Sequence, residues 1–137
     1  MTGVQTCALP ICRHFESLVS VKLHTSDGDR WVEGTIFEPA SPRLVSVRGV
    51  AVEAPLAGTL LLIANDDQPG VIGEVGTILG KHRINIANFA LGRGEGGAVG
   101  VVNVDEDQSG TGALDAAVEA IRRVPAVRDA WVVRLPH

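Results

Sequence analysis

Cysteine is almost missing from this chain of 137 residues, and the two present cannot staple it. Cys7 and Cys12 both fall in the opening MTGVQTCALPIC, in C-x4-C spacing with no second pair and no ligand cluster nearby. That excludes a disulfide scaffold and a zinc or redox motif. It also suits a reducing compartment, so a cytoplasmic location is expected. No Lys/Arg-rich block interrupts a chain of net charge −4, which argues against a nucleic-acid or anionic-membrane partner. No apolar run approaches the ~20 residues needed to cross a bilayer. What is present is a 45% hydrophobic composition, enough for a real core.

The opening stretch also lacks what a leader would need. A secretory signal requires a basic n-region and an unbroken apolar run, whereas residues 1–12 carry no Lys or Arg and are interrupted by Thr6 and Pro10. Thr2–Ile11, TGVQTCALPI, resembles instead the translation of a common short-read sequencing adapter. Residues 1–12 are therefore expected to be an artefactual leader outside the fold, and the remainder the tail of a longer protein.

Beyond it the chain divides in two. Residues 13–56 read as a partial β-rich domain. In SLVSVKLHT, Val19, Val21 and Leu23 alternate with Ser20, Lys22 and His24, the period of a half-buried strand. Asp27-Gly28 is expected to turn the chain into RWVEGTIFE, and RLVSVRG and VAVEA pair about Arg48-Gly49. His24 reads as a solvent-facing strand residue. Residues 57–137 form a complete α+β unit. TLLLIANDD is a short strand. A helix opened by Pro69 carries Val71, Ile72, Val75, Ile78 and Leu79 on one face. INIANFALG and AVGVVNVDE are strands joined by RGEGG. A second helix carries Leu114, Ala117, Val118 and Ile121, with Thr111 placed to cap it and Asp115 and Arg122–Arg123 suited to its dipole. VRDAWVVRL closes the unit. The order βαββαβ is that of the ferredoxin-like fold, with helices on one sheet face and the other face needing a partner or solvent.

Catalytic chemistry is the largest absence. His14, His24, His82 and His137 are scattered, and the pairs Asp27/Asp29 and Asp66/Asp67 read as turn formers. No His, Asp and Glu share metal-ligand spacing. GRGEGG, residues 92–97, satisfies G-x-G-x-x-G, yet it leads into a strand rather than a helix, so it is a hairpin and not a dinucleotide loop. The pattern is that of a binding or regulatory module.

The informative stretch is residues 65–93, NDDQPGVIGEVGTILGKHRINIANFALGR. Gly70, Gly73, Gly76 and Gly80 fall on one helix flank, at roughly 1 kcal/mol each relative to Ala in a helix interior. A close approach of the sheet or a second subunit is expected there. The junction Asn65–Gly70 presents backbone N–H groups at a helix N-terminus, suited to a carboxylate. Asp67 has two open readings: it caps the helix, or it accepts an ammonium group and completes a site for an α-amino acid.

The same residues closely resemble the ACT domain, an amino-acid-sensing module of biosynthetic enzymes. D-x-PG-V-I-G-x-V-G-x-I-L-G…INIA is most similar to the C-terminal part of the D-3-phosphoglycerate dehydrogenase family, NAD-dependent enzymes of L-serine synthesis. DRWVEGTIFE and PRLVSVRG resemble the intervening allosteric substrate-binding domain of its long forms. The resemblance covers residues 14–137 and is most specific over 60–93. It implies ACT domains paired edge to edge with L-serine, or another small amino acid, bound between two copies as a feedback inhibitor. The effector positions it implies are Asn65, Asp67 and Asn85, with Gly70 at the junction; Asn65 stands where His or an aromatic residue is common. Arg43 matches one basic position of an anion site in the intervening domain, but the later His and Arg of that site are replaced by apolar residues around Ala51–Pro55. NAD belongs to the implied parent. No cofactor is expected here, because the Rossmann fingerprint, the His–Glu pair and the substrate arginine are absent. The β region of iron–sulfur L-serine dehydratases and free-standing ACT sensors share these elements, but GTIFEPASPRLVSVRG and INIANFALGR fit the dehydrogenase family better.

Overall fold

The computed structural model describes residues 2–6, 18–37, 41–105 and 112–136. Strands β1 (Thr2–Thr6), β2 (Val19–Thr25), β3 (Gly28–Phe37), β4 (Ser41–Val47) and β5 (Val50–Pro55) form an antiparallel sheet in sequence order. The chain then enters β6 (Thr59–Asn65), α1 (Val71–Lys81), β7 (Asn85–Gly94), β8 (Gly97–Asp105), α2 (Ala113–Arg122) and β9 (Val127–Arg134). These build a second sheet of order β7-β8-β6-β9, the ferredoxin-like βαββαβ arrangement. Thr111 lies outside the described residues, as do His14 and His137.

Strand β6 sits inside the second sheet, and both of its faces are buried. Leu61 and Ile63 meet Val71, Val75 and Leu79 of α1 and Leu114, Ala117, Val118 and Ile121 of α2. Leu60 and Leu62 point the other way, where they join Val99 and Val101 of β8 and Leu44, Val47, Val52 and Ala54 of β4 and β5. The sheet face that the helices leave bare is thus covered by the chain's own first sheet. Asn103 of β8 fixes the passage between the two, its Nδ2 donating to the Pro55 carbonyl at 2.9 Å.

Two turns show how local chemistry sets this geometry. At the β4–β5 turn both central residues have positive φ, Arg48 at 52° and Gly49 at 80°, as a type I′ hairpin requires. Arg48 is not glycine, and the left-handed conformation costs it about 1–2 kcal/mol. Its N–H donates to the Trp31 carbonyl at 2.8 Å. Its guanidinium stacks 4.7 Å from the centre of the Trp131 ring and lies 3.4 Å from Asp129, both on β9. The turn is thereby tied to the opposite sheet. Between β2 and β3 the two-residue loop is Ser26-Asp27, one residue earlier than the expected Asp27-Gly28, and Gly28 opens β3 at φ 115°.

Three expectations are corrected. Val19 and Leu23 are 49% and 40% exposed; with Val21 they line open apolar pockets edged by Trp131 and Leu56 instead of entering a closed core. Ile72 is 46% exposed at the rim of the α1 face rather than in the core. Pro69 precedes the N-cap residue Gly70 instead of occupying the first helical turn. Residues 2–6, in the stretch expected to be an artefactual leader, also pair with β2. An open strand edge offers N–H and C=O groups to any extended segment, so such pairing needs no particular sequence.

The two sheets approach closely at Gly92, where an added Cβ would run into the Ala51 carbonyl oxygen and the Val50 side chain. Gly96 faces open space. Gly92→Ala should therefore lower unfolding stability by about 1–3 kcal/mol, with Gly96→Ala close to wild type, as read from urea unfolding of the two variants.

Candidate functional site

The loop between β6 and α1 is fixed at both ends by its own backbone. Asn65, the last residue of β6, is buried and donates from Nδ2 to the Asp66 carbonyl at 2.8 Å. The Asp66 N–H donates to the Ala126 carbonyl at 2.7 Å, and the Gln68 N–H to the Asp66 carbonyl at 2.9 Å. Gly70, at φ 90°, then turns the chain into the helix; the positive φ is what demands glycine there. No side chain caps the N-terminus of α1. Its first N–H groups lack intrahelical acceptors by construction of the helix, and they face outward beside this loop.

Both acidic side chains of the loop are held by arginines from neighbouring strands. Arg128, on β9, donates through Nε to Asp66 Oδ1 at 2.6 Å, its Nη2 contacts the same oxygen, and its Nη1 donates to the Gly96 carbonyl at 2.6 Å. Asp66, β9 and the β7–β8 turn are thus joined by one guanidinium. Asp67 meets Arg93 of β7, Nε to Oδ1 at 3.3 Å. The first reading of Asp67, as a helix cap, is not met. Its carboxylate is not a helix cap but stands exposed before an uncapped helix N-terminus, where it already holds a cation.

Asn65, Asp67 and Gly70 therefore share one end of the second sheet, and Asn85 does not. Asn65 and Arg93 both pair with Ala98, whereas Asn85 pairs with Asp105 at the far end, its Nδ2 donating to Asp105 Oδ2 at 2.9 Å. Arg43 bonds Glu53 Oε1 at 3.0 Å across β4 and β5. An added Cβ at Gly70, Gly73, Gly76 or Gly80 would meet nothing, so the sheet does not make the close approach expected at that flank.

Arg93 and Arg128 escaped the reading of the sequence. The signal was available: in a βαββαβ sheet the ends of the first and second strands and the start of the fourth lie together, and opposite charges stand at those places. The Asp29 carboxyl is held below its usual value through hydrogen bonds from Lys22 and then His24, but it belongs to the β2–β3 hairpin of the other sheet. Among the described residues no three His, Cys, Asp or Glu gather as metal ligands, and no helix is long and apolar enough to cross a membrane.

The sequence pattern of the ACT domain matches residues 59–126, the span from β6 to the start of β9. Residues 59–126 are an ACT domain. Up to nine-tenths of the chain is similar to D-3-phosphoglycerate dehydrogenases. That of Synechocystis is 26% identical over 125 residues, covering 90% of this chain and 22% of the relative. That of Bacillus subtilis is 30% identical over 122 residues, covering 89% and 23%, and that of Mycobacterium tuberculosis is 31% identical over 124, covering 86% and 24%. The chain thus spans less than a quarter of the length of these curated relatives. The similarity includes the β-rich part before the ACT domain.

Because Asp67 does not cap α1, Asp67→Ala should change unfolding stability by less than about 0.5 kcal/mol. Losing a true N-cap would cost about 1 kcal/mol. Thermal unfolding of wild type and variant separates these values.

Proposed function

We propose that this chain is the feedback-regulatory part of a D-3-phosphoglycerate dehydrogenase and that it binds L-serine between the ACT domains of two copies. The observation that carries the reading is Asp67, an exposed carboxylate set before the uncapped N-terminus of α1. An ammonium acceptor and backbone donors for a carboxylate then lie within one turn of chain, as an α-amino acid requires. The dehydrogenase activity that the relatives' names give is assigned to a parent enzyme outside this chain, and with it the NAD that the family resemblance implies.

A second copy supplies what one chain separates. Among the described residues nothing pairs with the outer edge of β7. A two-fold axis near Phe89 that joined two β7 strands antiparallel would set Asn85 of each copy beside the Arg93 end of the other. The bare glycine flank of α1 supports the same reading, since backbone unencumbered by side chains admits a close neighbour.

Complementation tests it. Asp67→Ala and Asn85→Ala should each abolish L-serine binding while the chain still sediments as a dimer. In a mixture of the two variants, heterodimers carry one intact site, so calorimetry should recover about one site in four. A mixture that recovers none, or a strictly monomeric wild type, contradicts a shared site.

A further inference from the structure

Arg93 is the cation paired with Asp67. It lies on β7 beside the β6–α1 loop, its Nε is 3.3 Å from Asp67 Oδ1, and its side chain is 72% exposed. Its backbone is fixed, because Arg93 pairs with Ala98 and the preceding Gly92 is wedged against β5. The guanidinium is therefore free to swing from a stationary root. Arg128 is committed to Asp66 and to the Gly96 carbonyl, which leaves Arg93 as the guanidinium facing Asp67.

A carboxylate already paired with a guanidinium does not take up a simple ammonium ion at a profit. The newcomer replaces one solvated ion pair by another of similar worth and leaves the displaced cation with nothing. An α-amino acid behaves differently. Its ammonium takes Asp67 while its carboxylate, one carbon away, takes the released guanidinium. A carboxylate has lone pairs enough for that guanidinium and for the N–H groups of the helix as well. We propose that Arg93 is the specificity-determining residue of this site, guarding Asp67 against simple amines and receiving the carboxylate of the α-amino acid that displaces it. This rests on the reading of Asp67 as an ammonium acceptor.

The test compares L-serine with ethanolamine, which is serine without its carboxylate, by calorimetric titration of the whole chain and its Arg93→Gln variant. Wild type should bind L-serine and discriminate against ethanolamine by about tenfold or more, the worth of one charge-assisted bond. In Arg93→Gln, L-serine should weaken, ethanolamine should strengthen and the ratio should approach unity, with Arg93→Lys intermediate. An Arg93→Gln variant that keeps the wild-type ratio overturns the role of Arg93 while leaving the amino-acid site standing. A wild-type chain that binds neither compound overturns the amino-acid site and this proposal with it.

Discussion

A four-stranded sheet with two apolar faces cannot stand alone in water, and the rest of this structure follows from that. The helices take one face, with Leu61 and Ile63 beneath them. Leu60, Leu62, Val99 and Val101 crowd the other, where exposure would cost about 1.5–3 kcal/mol for each large side chain. The β4–β5 hairpin meets that demand. It fits because Gly92 and Gly94 leave room for β5 against β7, and because Arg48 accepts a strained turn in return for Trp131 and Asp129. Asn103 pins the connecting chain. The β-rich segment is therefore the second half of the ACT domain's core rather than an appendage.

The same packing positions the loop at residues 66–70. Gly92 is clamped under β5, so the β7–β8 hairpin that carries Arg93 and Gly96 is held at its base. Arg128 then ties that hairpin to Asp66. The loop hangs between two rigid supports, with polar side chains at its surface and backbone donors behind them. Such an arrangement suits recognition of a small charged molecule, because the donors are oriented before the ligand arrives.

The parts of the fold visible in the sequence were those written in local periodicity. The spacing of Leu114, Ala117, Val118 and Ile121 placed α2 and its buried face correctly, and GRGEGG was a hairpin because a strand, not a helix, followed it. Where a face is buried by something distant, periodicity alone misled. The alternation of Val19, Val21 and Leu23 is real, yet the stripe lines open pockets, because alternation does not say how closely the opposite side packs. Ile72 failed for a related reason, since a helix stripe says which side is apolar but not how wide the contact is. Asp67 was visible as a candidate, but its ion pair with Arg93 was not, because only the sheet order brings that residue alongside.

Asp67 and Asn85 stand at opposite ends of one sheet. No single chain can close a ligand between them, so a site that uses both exists only in the assembled pair. Occupancy and assembly are then linked by mass action: ligand draws chains together, and crowded chains hold ligand more tightly than dilute ones. On the reading proposed above, a sensor built this way would report its own abundance as well as that of its ligand.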